Sequence, residues 1–347
     1  MRILYGVAGE GFGHSSRAKR IIPYLQRKGH SVLVVTYGQA YDVLYNEFDV
    51  LKIAGFTIAF EEGNLDKSQT VKKGIDTIIE NLKDWRKIKR EVEKFNPELC
   101  ITDMEPIVPV IRKLYKLPLI CFDNQHRLTH LELNVPGEYK KDYIFAREIV
   151  NRFVSKADAF VIVSFVKSRV RKDGGKVRVV SPLIRSEVLE ARKRAEYGGN
   201  VLVYMTKPNK DLISVLRESK ENFVVYGYGR KVREGNIIFK ETGAQFLEDL
   251  VEAKAIIATA GFTLMSEALY LKKPYFAIPL RGQFEQTLNA LFLSQSGLGD
   301  YSEKPSLEDI ARFLGSLELY ERRLSKHSMR PDESLDAIDW AVGKAMK

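Results

Sequence analysis

Residues 2–29 read RILYGVAGEGFGHSSRAKRIIPYLQRKG and combine an apolar strand, a glycine-rich loop and an amphipathic helix. The strand is predicted at residues 2–7 and the helix from about residue 15 to residue 28. Glycines at positions 9, 11 and 13 let a ligand approach the backbone closely, and the N-terminus of the following helix favours negative charge. The stretch therefore predicts a ligand-binding loop at the carboxyl edge of a sheet.

The glycine spacing argues against two common nucleotide sites. A dinucleotide site needs G-x-G-x-x-G, which would require glycine at position 14, and an acidic residue at the end of the second strand. Position 14 is His14, and the second strand ends in Val35-Thr36-Tyr37. A phosphate-binding NTPase loop needs Gly-Lys-Ser/Thr, which this loop lacks.

Apolar, β-branched runs alternate with helical stretches along the rest of the chain. In the first half the predicted strands cover residues 31–36, 99–102, 119–122 and 159–163. After a charged, linker-like segment at residues 185–199 they continue at residues 200–204, 223–226, 237–239, 255–258 and 275–278. This alternation is typical of parallel sheets covered by helices. It predicts an α/β protein with two consecutive doubly wound (Rossmann-like) domains.

The 347 residues, 45% of them apolar, suffice for two packed domains. No apolar run approaches the roughly 20 residues needed to cross a bilayer, and the N-terminus does not resemble a signal peptide. We therefore expect a cytoplasmic protein, with the inner face of the membrane as a candidate location. Cys100 and Cys121 lie in apolar segments and are predicted to be reduced structural thiols. No Cys/His cluster has metal-ligand spacing, so no metal site is predicted.

The net charge of +10 is concentrated in the first half of the chain. Residues 1–180 contain 31 Lys/Arg against 22 Asp/Glu, whereas residues 181–347 contain 24 against 23. Such an excess is typical of proteins that meet an acidic partner, such as a phospholipid surface, and equally of Lys/Glu-rich thermophilic surfaces. The basic residues are dispersed, including on a predicted helix at residues 81–95, and lack interleaved stacking aromatics. No nucleic acid partner is expected.

Polar residues follow several strands of the first half, where the carboxyl ends of parallel strands share one edge. His14 is a candidate general base, with helix capping or acceptor binding as the alternative. Asp103 is a candidate to accept a hydrogen bond from the His14 ring and fix its tautomer, with helix capping as its alternative. Glu105 and the run Asp123-Asn-Gln-His126 extend the same polar edge.

A second constellation lies in the C-terminal half. The strand at residues 255–258 is followed by Thr259-Ala-Gly-Phe-Thr263-Leu-Met-Ser-Glu267, and the next strand by Gln283-Phe-Glu-Gln286-Thr-Leu-Asn289-Ala. A glycine turn that leads into a helix N-terminus suits a diphosphate, and a carboxylate one turn into that helix suits a ribose diol.

With these motifs the chain resembles the GT-B glycosyltransferases of family 28, which include the lipid-linked peptidoglycan N-acetylglucosaminyltransferases. It is most similar to archaeal members that carry G-x-G-x-G-H-x-x-R near the N-terminus and Asp-Asn-Gln-His after a middle strand. The resemblance implies two domains facing each other across a cleft. It gives an acceptor-binding domain at residues 1–184, a nucleotide-sugar-binding domain at 185–324, and a last helix at 325–347 that packs back on the first domain.

The resemblance also implies binding roles residue by residue. Glu267 would hold the ribose hydroxyls, Gly261 to Thr263 the diphosphate, and Glu285 with Gln286 the sugar. The implied donor-binding residues are Thr206, Thr242, Gly243, Gly261, Phe262, Thr263, Glu267, Glu285 and Gln286. The implied acceptor-binding residues are Gly11, Gly13, Glu105, Asp123, Asn124, Gln125 and His126.

The expected activity is metal-independent, inverting transfer of a hexose, N-acetylglucosamine being one candidate, from a UDP-sugar to a hydroxyl acceptor. The UDP-sugar is a co-substrate, and no cofactor is expected. The acceptor is unknown, with a lipid-linked or anionic molecule and peripheral membrane contact as possibilities. Two alternatives stay open: a nucleotide-sugar 2-epimerase of the same fold, and a nonenzymatic nucleotide-sugar-binding protein.

Overall fold

The fold is described from a computed structural model that covers residues 1–55, 60–61, 64–65, 77, 80–81, 83–154, 156–194 and 198–347. The chain forms two compact units. The first consists of Met1–Leu183 and Arg330–Lys347, and the second of Ile184–Met329. The predicted division placed the corresponding boundaries after residues 184 and 324. Within the described residues, no helix is both long and apolar enough to cross a bilayer.

The first unit contains a seven-stranded sheet in which every neighbouring pair is parallel. Its strands are β1 (Arg2–Val7), β2 (Ser31–Thr36), β3 (Val50–Lys52), β6 (Leu99–Asp103), β7 (Leu119–Asp123), β8 (Ala159–Val163) and β9 (Val177–Val180). The spatial order is β3-β2-β1-β6-β7-β8-β9. A separate hairpin joins β4 (Phe60–Glu61) to β5 (Asn64–Leu65).

The central strands of this sheet are buried along their whole length, because helices cover both of its faces. The helices are α1 (Phe12–Arg27), α2 (Gly38–Leu44), α3 (Trp85–Phe95), α4 (Ile107–Tyr115), α5 (Arg127–His130) and α6 (Lys140–Phe153). On α3 only Ile88 and Val92 are buried, so its basic residues form a solvated face. Cys100 and Cys121 are free and buried in the core.

The second unit repeats the same plan with one antiparallel edge. Its strands are β10 (Val201–Tyr204), β11 (Phe223–Tyr226), β12 (Val232–Glu234), β13 (Ile237–Phe239), β14 (Ala255–Thr259), β15 (Tyr275–Ile278) and β16 (Gly299–Tyr301). The order is β12-β13-β11-β10-β14-β15-β16, and only β12 runs antiparallel to its neighbour.

The helices of the second unit follow most of its strands. They are α7 (Ser186–Ala191), α8 (Lys210–Glu218), α9 (Gln245–Glu252), α10 (Phe262–Tyr270), α11 (Phe284–Gln295), α12 (Leu307–Gly315) and α13 (Leu317–Lys326). The chain then returns to the first unit as α14 (Glu333–Ala345), which packs on β7, β8 and β9. The Ser334 hydroxyl of α14 donates to the carbonyl of Ser181 over 2.5 Å. The two sheets and their helices form the predicted two-domain α/β architecture.

Candidate active site

The first candidate site lies where β1, β6 and β7 end, because these neighbouring parallel strands share one edge of the first sheet. His14 belongs to the first turn of α1, after Gly11, whose φ of 76° favours glycine. Its Nδ1 lies 2.8 Å from Oδ1 of Asp103 at the end of β6. The structure thus brings together the two residues predicted to form the catalytic pair.

Arg17, one turn after His14 on α1, completes this cluster. Its Nε donates to Oδ2 of Asp103 over 2.9 Å and one terminal nitrogen donates to Oδ1 over 2.8 Å, a bidentate pair. The other terminal nitrogen donates to Oδ1 of Asn124 over 3.2 Å. The Asp103 side chain is fully buried and the Arg17 side chain is 7% exposed. Sequence reasoning did not identify Arg17, whose only signal was its place in the G-H-x-x-R pattern.

Two charged side chains, Asp103 and Arg17, contact Nδ1 of His14 and influence which ring nitrogen carries the proton. Burial alone would raise the pKa of Asp103, but the Arg17 guanidinium and the His14 ring hold it below its ordinary value. Nδ1 of His14 lies 2.8 Å from Oδ1 of Asp103 and 2.9 Å from a terminal nitrogen of Arg17. A carboxylate only accepts hydrogen bonds and a guanidinium only donates them, so a protonated Nδ1 donates to Asp103, whereas an unprotonated Nδ1 accepts from Arg17. In the tautomer that donates to Asp103, Nε2 of the neutral ring is unprotonated and able to accept a proton.

Asp123 and His126, at the end of β7, form a buried ion pair. Nδ1 of His126 lies 2.7 Å from the Asp123 carboxylate, and Nε2 lies 3.2 Å from the carbonyl of Val154. Both ring nitrogens thus face acceptors. Burial alone would lower the pKa of His126, but the Asp123 charge and these hydrogen bonds raise it. These contacts favour the protonated form of the His126 ring, and Asp123 also caps the main-chain N–H of His126.

Cys121 adjoins this pair, so three ligand-type side chains lie together, although the sequence spacing did not suggest a metal cluster. Their potential ligand atoms lie within 4.8 Å of one another. However, the Cys121 thiol lies 3.0 Å from Asp123, and His126 lies 2.7 Å from the same oxygen. Such spacings are those of hydrogen bonds, and all three side chains are buried. The absence of a metal ion stays a prediction.

Four of the predicted acceptor-binding residues are buried side chains that bond within the protein. Glu105, Asp123, Asn124 and His126 are at most 1% exposed. Direct contact with an acceptor would require these side chains to leave their present bonds. Gly11, just before α1, is in contrast exposed, while Gly13 in the first turn of α1 and Gln125 are partly accessible. An acceptor-binding role stays a prediction for all seven.

Glu105 performs the capping role that the sequence offered as an alternative for Asp103. Its two oxygens accept from the main-chain N–H groups of Ile107 and Val108 over 2.7 and 2.8 Å, at the start of α4. Burial raises the pKa of Glu105 to about 7, although these two hydrogen bonds lower it.

This buried carboxyl is expected to make stability fall with rising pH. Between its ordinary pKa of 4.5 and the folded value of about 7, only the unfolded chain loses the proton. The folded state therefore loses stability through that window, by about 3 kcal/mol in total. The measurement is the free energy of unfolding of wild type and Glu105→Gln at pH 4 and pH 8. The variant should lack this loss, and parallel changes in the two proteins would contradict the assignment.

The second candidate site lies at the carboxyl ends of β13, β10, β14 and β15 in the second sheet. Gly261 follows β14 and precedes α10, whose N-terminus has no side-chain cap. A Cβ added to Gly261 would meet no heavy atom closer than 4.0 Å, and its φ of −70° suits any residue. The fold itself therefore does not require glycine here. The helix N-terminus with open space in front of it suits an anionic group.

Glu267, one turn into α10, is already paired in this structure. Its side chain is 2% exposed, and Arg185 donates to its two oxygens, from Nε over 2.6 Å and from a terminal nitrogen over 2.7 Å. The carboxylate predicted to accept a ribose diol thus has a bidentate partner. Arg185 falls in the segment that the sequence suggested was only a linker, and no local pattern links it to Glu267.

The remaining predicted donor residues lie on the same edge of the second sheet. Thr206 follows β10, while Thr242 and Gly243 follow β13, and all three are exposed. Phe262 is buried at the start of α10, Thr263 is partly exposed beside it, and Glu285 is partly exposed at the start of α11. Gln286 accepts from the N–H of Leu280 over 3.0 Å and donates to Gln283 over 2.7 Å, so it organises its own loop.

Solved structures with the same fold include glycosyltransferases from a plant and from bacteria. Phytolacca americana UGT2, solved with UDP-2fluoro-glucose and pterostilbene, aligns with a TM-score of 0.72 at 15% identity over 100% of both chains. MurG of Acinetobacter baumannii aligns with a TM-score of 0.63 at 15% identity over 99% of both chains. At these identities the likeness shows the fold, which is the two-domain GT-B fold.

Sequence relatives extend along most of the chain. An uncharacterized glycosyltransferase of Methanosarcina mazei is 23% identical over 86% of this chain and 85% of its own length. A UDP-N-acetylglucosamine–N-acetylmuramyl-(pentapeptide) pyrophosphoryl-undecaprenol N-acetylglucosamine transferase of Clostridium botulinum is 24% identical over 93% of this chain and 92% of its own length. The family model described as Glycosyl transferase family 1 matches residues 1–318. The chain therefore belongs to this family and is a glycosyltransferase of the GT-B fold related to family 28.

Proposed function

We propose that this enzyme transfers a hexose from a UDP-sugar to a hydroxyl group of its acceptor, with inversion and without a divalent metal ion. The observation that carries the proposal is the His14 ring, whose Nδ1 lies 2.8 Å from the Asp103 carboxylate. In the tautomer that donates from Nδ1 to Asp103, Nε2 is the group that takes a proton. N-Acetylglucosamine is the sugar to test first, because the Clostridium botulinum relative is named as a transferase of that sugar.

In the proposed step, Nε2 of His14 removes the proton from the acceptor hydroxyl. The acceptor oxygen then forms a bond to the anomeric carbon of the sugar while the bond from that carbon to the diphosphate oxygen breaks. UDP leaves with the bonding electron pair, and attack from the opposite side inverts the configuration. Asp103 stabilises the imidazolium that forms, and the α10 N-terminus offsets charge on the leaving diphosphate.

The second unit would hold the donor through the exposed loop ends and the uncapped N-terminus of α10. Glu267 would accept hydrogen bonds from the ribose hydroxyls, for which Arg185 has to give up at least one of its two bonds. Because Arg185 is 39% exposed, it has room to turn away while its charge stays solvated. The released guanidinium would then be available to a phosphate group.

A lipid-linked acceptor is part of the proposal, since the Clostridium botulinum relative is named for a pyrophosphoryl-undecaprenol substrate. The excess of Lys and Arg in residues 1–180 would favour peripheral contact with an anionic membrane.

Thermal unfolding with UDP, GDP, CDP, dTDP and NAD tests the donor assignment. UDP should raise the melting temperature most, because bound ligand stabilises the folded state. Incubation of the protein with UDP-N-acetylglucosamine and no acceptor distinguishes a transferase from a nucleotide-sugar 2-epimerase, since only an epimerase would change the sugar. Stabilisation by another nucleotide alone would contradict the choice of UDP.

Replacing Glu267 with alanine should remove most of the stabilisation by UDP. The substitution deletes the carboxylate that would accept from the ribose, and loss of a charged hydrogen bond of this kind costs about 1.5–3 kcal/mol. Isothermal titration calorimetry with UDP measures the loss directly. The matched control is Glu190→Ala, which removes an exposed carboxylate paired with Lys193 in the same unit. Equal UDP affinity in wild type and Glu267→Ala would rule out the assigned role.

A further inference from the structure

The first unit contains a basic cavity that shares no residue with the His14, Asp103 and Arg17 cluster. Its volume is about 380 Å³, within the range of small-molecule sites. Four cationic side chains line it, together with one acidic side chain: Arg147, Arg171, Lys172, Lys176 and Asp173. The basic cavity therefore has a net positive lining.

The four positive charges of this lining exceed the one negative charge of Asp173. Within the described ranges, none of the four cationic side chains forms an ion pair. Among the residues that the structure describes, Nε of Arg147 on α6 is buried and has no hydrogen-bond partner. A buried guanidinium N–H without an acceptor is costly, so an acceptor that a ligand brings to Arg147 would be stabilising.

The one carboxylate in the lining is used by its own loop. Oδ1 of Asp173 accepts from the N–H of Gly175 over 3.1 Å, and Oδ2 accepts from the N–H of Val177 over 2.6 Å. Gly174 and Gly175 have φ values of 66° and 75°, which glycine adopts without strain. Asp173 thus fixes the loop that carries Lys172 and Lys176 and does not pair with them.

Arg171 is also held in place. Its Nε donates to the carbonyl of Leu131 over 2.9 Å, and a terminal nitrogen donates to the Tyr143 hydroxyl over 3.1 Å. A β-bridge between Leu131 and Val170 ties the same loop to the end of α5. Arg171 is therefore preorganised, which lowers the entropy lost when a ligand binds to it.

An aromatic wall completes the basic cavity. The rings of His130 and Phe160 lie 4.2 Å apart between centroids, and both line the cavity. Burial lowers the pKa of His130 to about 4, so this ring is neutral near pH 7 and adds surface rather than charge. The ligand that fits has an anionic group for the arginines and a body that packs on the rings.

We propose that the basic cavity is a binding site for a phosphate group, separate from the donor and from the His14 cluster. Phosphate matches the planar donor array of arginine, and several cations around one site suit its charge. The phosphate belongs either to a phosphorylated small molecule or to the headgroup of an anionic phospholipid.

The test measures binding by the full chain to two kinds of probe. Glycerol 3-phosphate is titrated by calorimetry, and vesicles of phosphatidic acid in phosphatidylcholine are compared with phosphatidylcholine alone by sedimentation. Arg147→Gln should weaken binding of the active probe by about tenfold or more, because a charged hydrogen bond is lost. The double variant Lys172→Gln with Lys176→Gln should weaken binding of the same probe several-fold. Both lysines are exposed, so these substitutions should leave folding intact.

Two controls make the result specific. Arg152→Gln changes an exposed arginine on the same helix outside the cavity and should bind like wild type. Glu267→Ala should also bind these probes like wild type, which keeps this test apart from the donor site. If the cavity variants weaken binding of glycerol 3-phosphate, the ligand is a phosphorylated small molecule. If they weaken sedimentation with phosphatidic acid vesicles, the ligand is a phospholipid headgroup. Binding of neither probe, or equal binding by wild type and all cavity variants, would overturn the proposal.

Discussion

Replacing His14 with alanine is expected to lower the rate of glycosyl transfer by about 10²–10⁴-fold, the usual contribution of a positioned general base. This range corresponds to roughly 3–5 kcal/mol of activation free energy. The physical reason is the loss of Nε2, which is unprotonated in the proposed tautomer, where Nδ1 donates to Asp103. UDP binding should be nearly unchanged, because the proposed nucleotide site consists of residues of the second unit.

The measurement is single-turnover transfer as a function of pH, together with UDP affinity for the same proteins. His30→Ala is a matched control, since His30 belongs to the same unit and bonds to the N-terminal amine. A His14→Ala enzyme with near-normal turnover would leave the glycine loop as a binding element and remove His14 from the chemistry.

Asp103→Asn should have the second large effect, and this effect is on stability. The substitution keeps the size of the side chain but removes the charge that faces the buried Arg17 guanidinium. Breaking a buried ion pair by removing one partner typically costs about 3–5 kcal/mol. We therefore expect the free energy of unfolding to fall by about that amount in denaturant titration.

A double variant distinguishes this cause from a general packing defect. Arg17→Met combined with Asp103→Asn should recover part of the lost stability, because no uncompensated charge then remains. Asp158→Asn is the matched control: Asp158 pairs with Arg112, but their side chains are 35% and 25% exposed. That change should cost far less. Equal losses for Asp103→Asn and Asp158→Asn would refute the argument from burial.

Central strands could be predicted from the sequence, whereas edge strands could not. Residues 2–7, 31–36 and 159–163 form strands with the predicted bounds, because a strand buried on both faces is a continuous apolar run. The short strands β3, β9, β12 and β16 were missed. Each has three or four residues and partly exposed side chains, so none forms the continuous apolar run that identifies a central strand.

The candidate sites were predictable in their positions and less so in their contacts. Strand ends and glycine spacing placed His14 and Asp103 on one edge, since parallel topology alone brings them together. The ion pairs were not predictable, because Arg17 is 86 residues from Asp103 and Arg185 is 82 residues from Glu267. A side-chain partner at such separation leaves no local pattern. The burial of the Glu105 and His126 side chains could not be predicted either. Because they are buried, these two side chains stabilise their own loops.

Because the chain returns to the first unit after the second, the first unit cannot complete its fold until the second unit has been synthesised. Helix α14 buries Leu335, Ile338 and Ala341 and packs on β7, β8 and β9, yet it is made after the whole second unit. The apolar surface that α14 covers thus stays open while residues 184–329 are being translated. The second unit, a continuous segment, meets no such delay. During synthesis, the first unit without α14 is therefore the part of the protein most exposed to misassembly and to binding by chaperones.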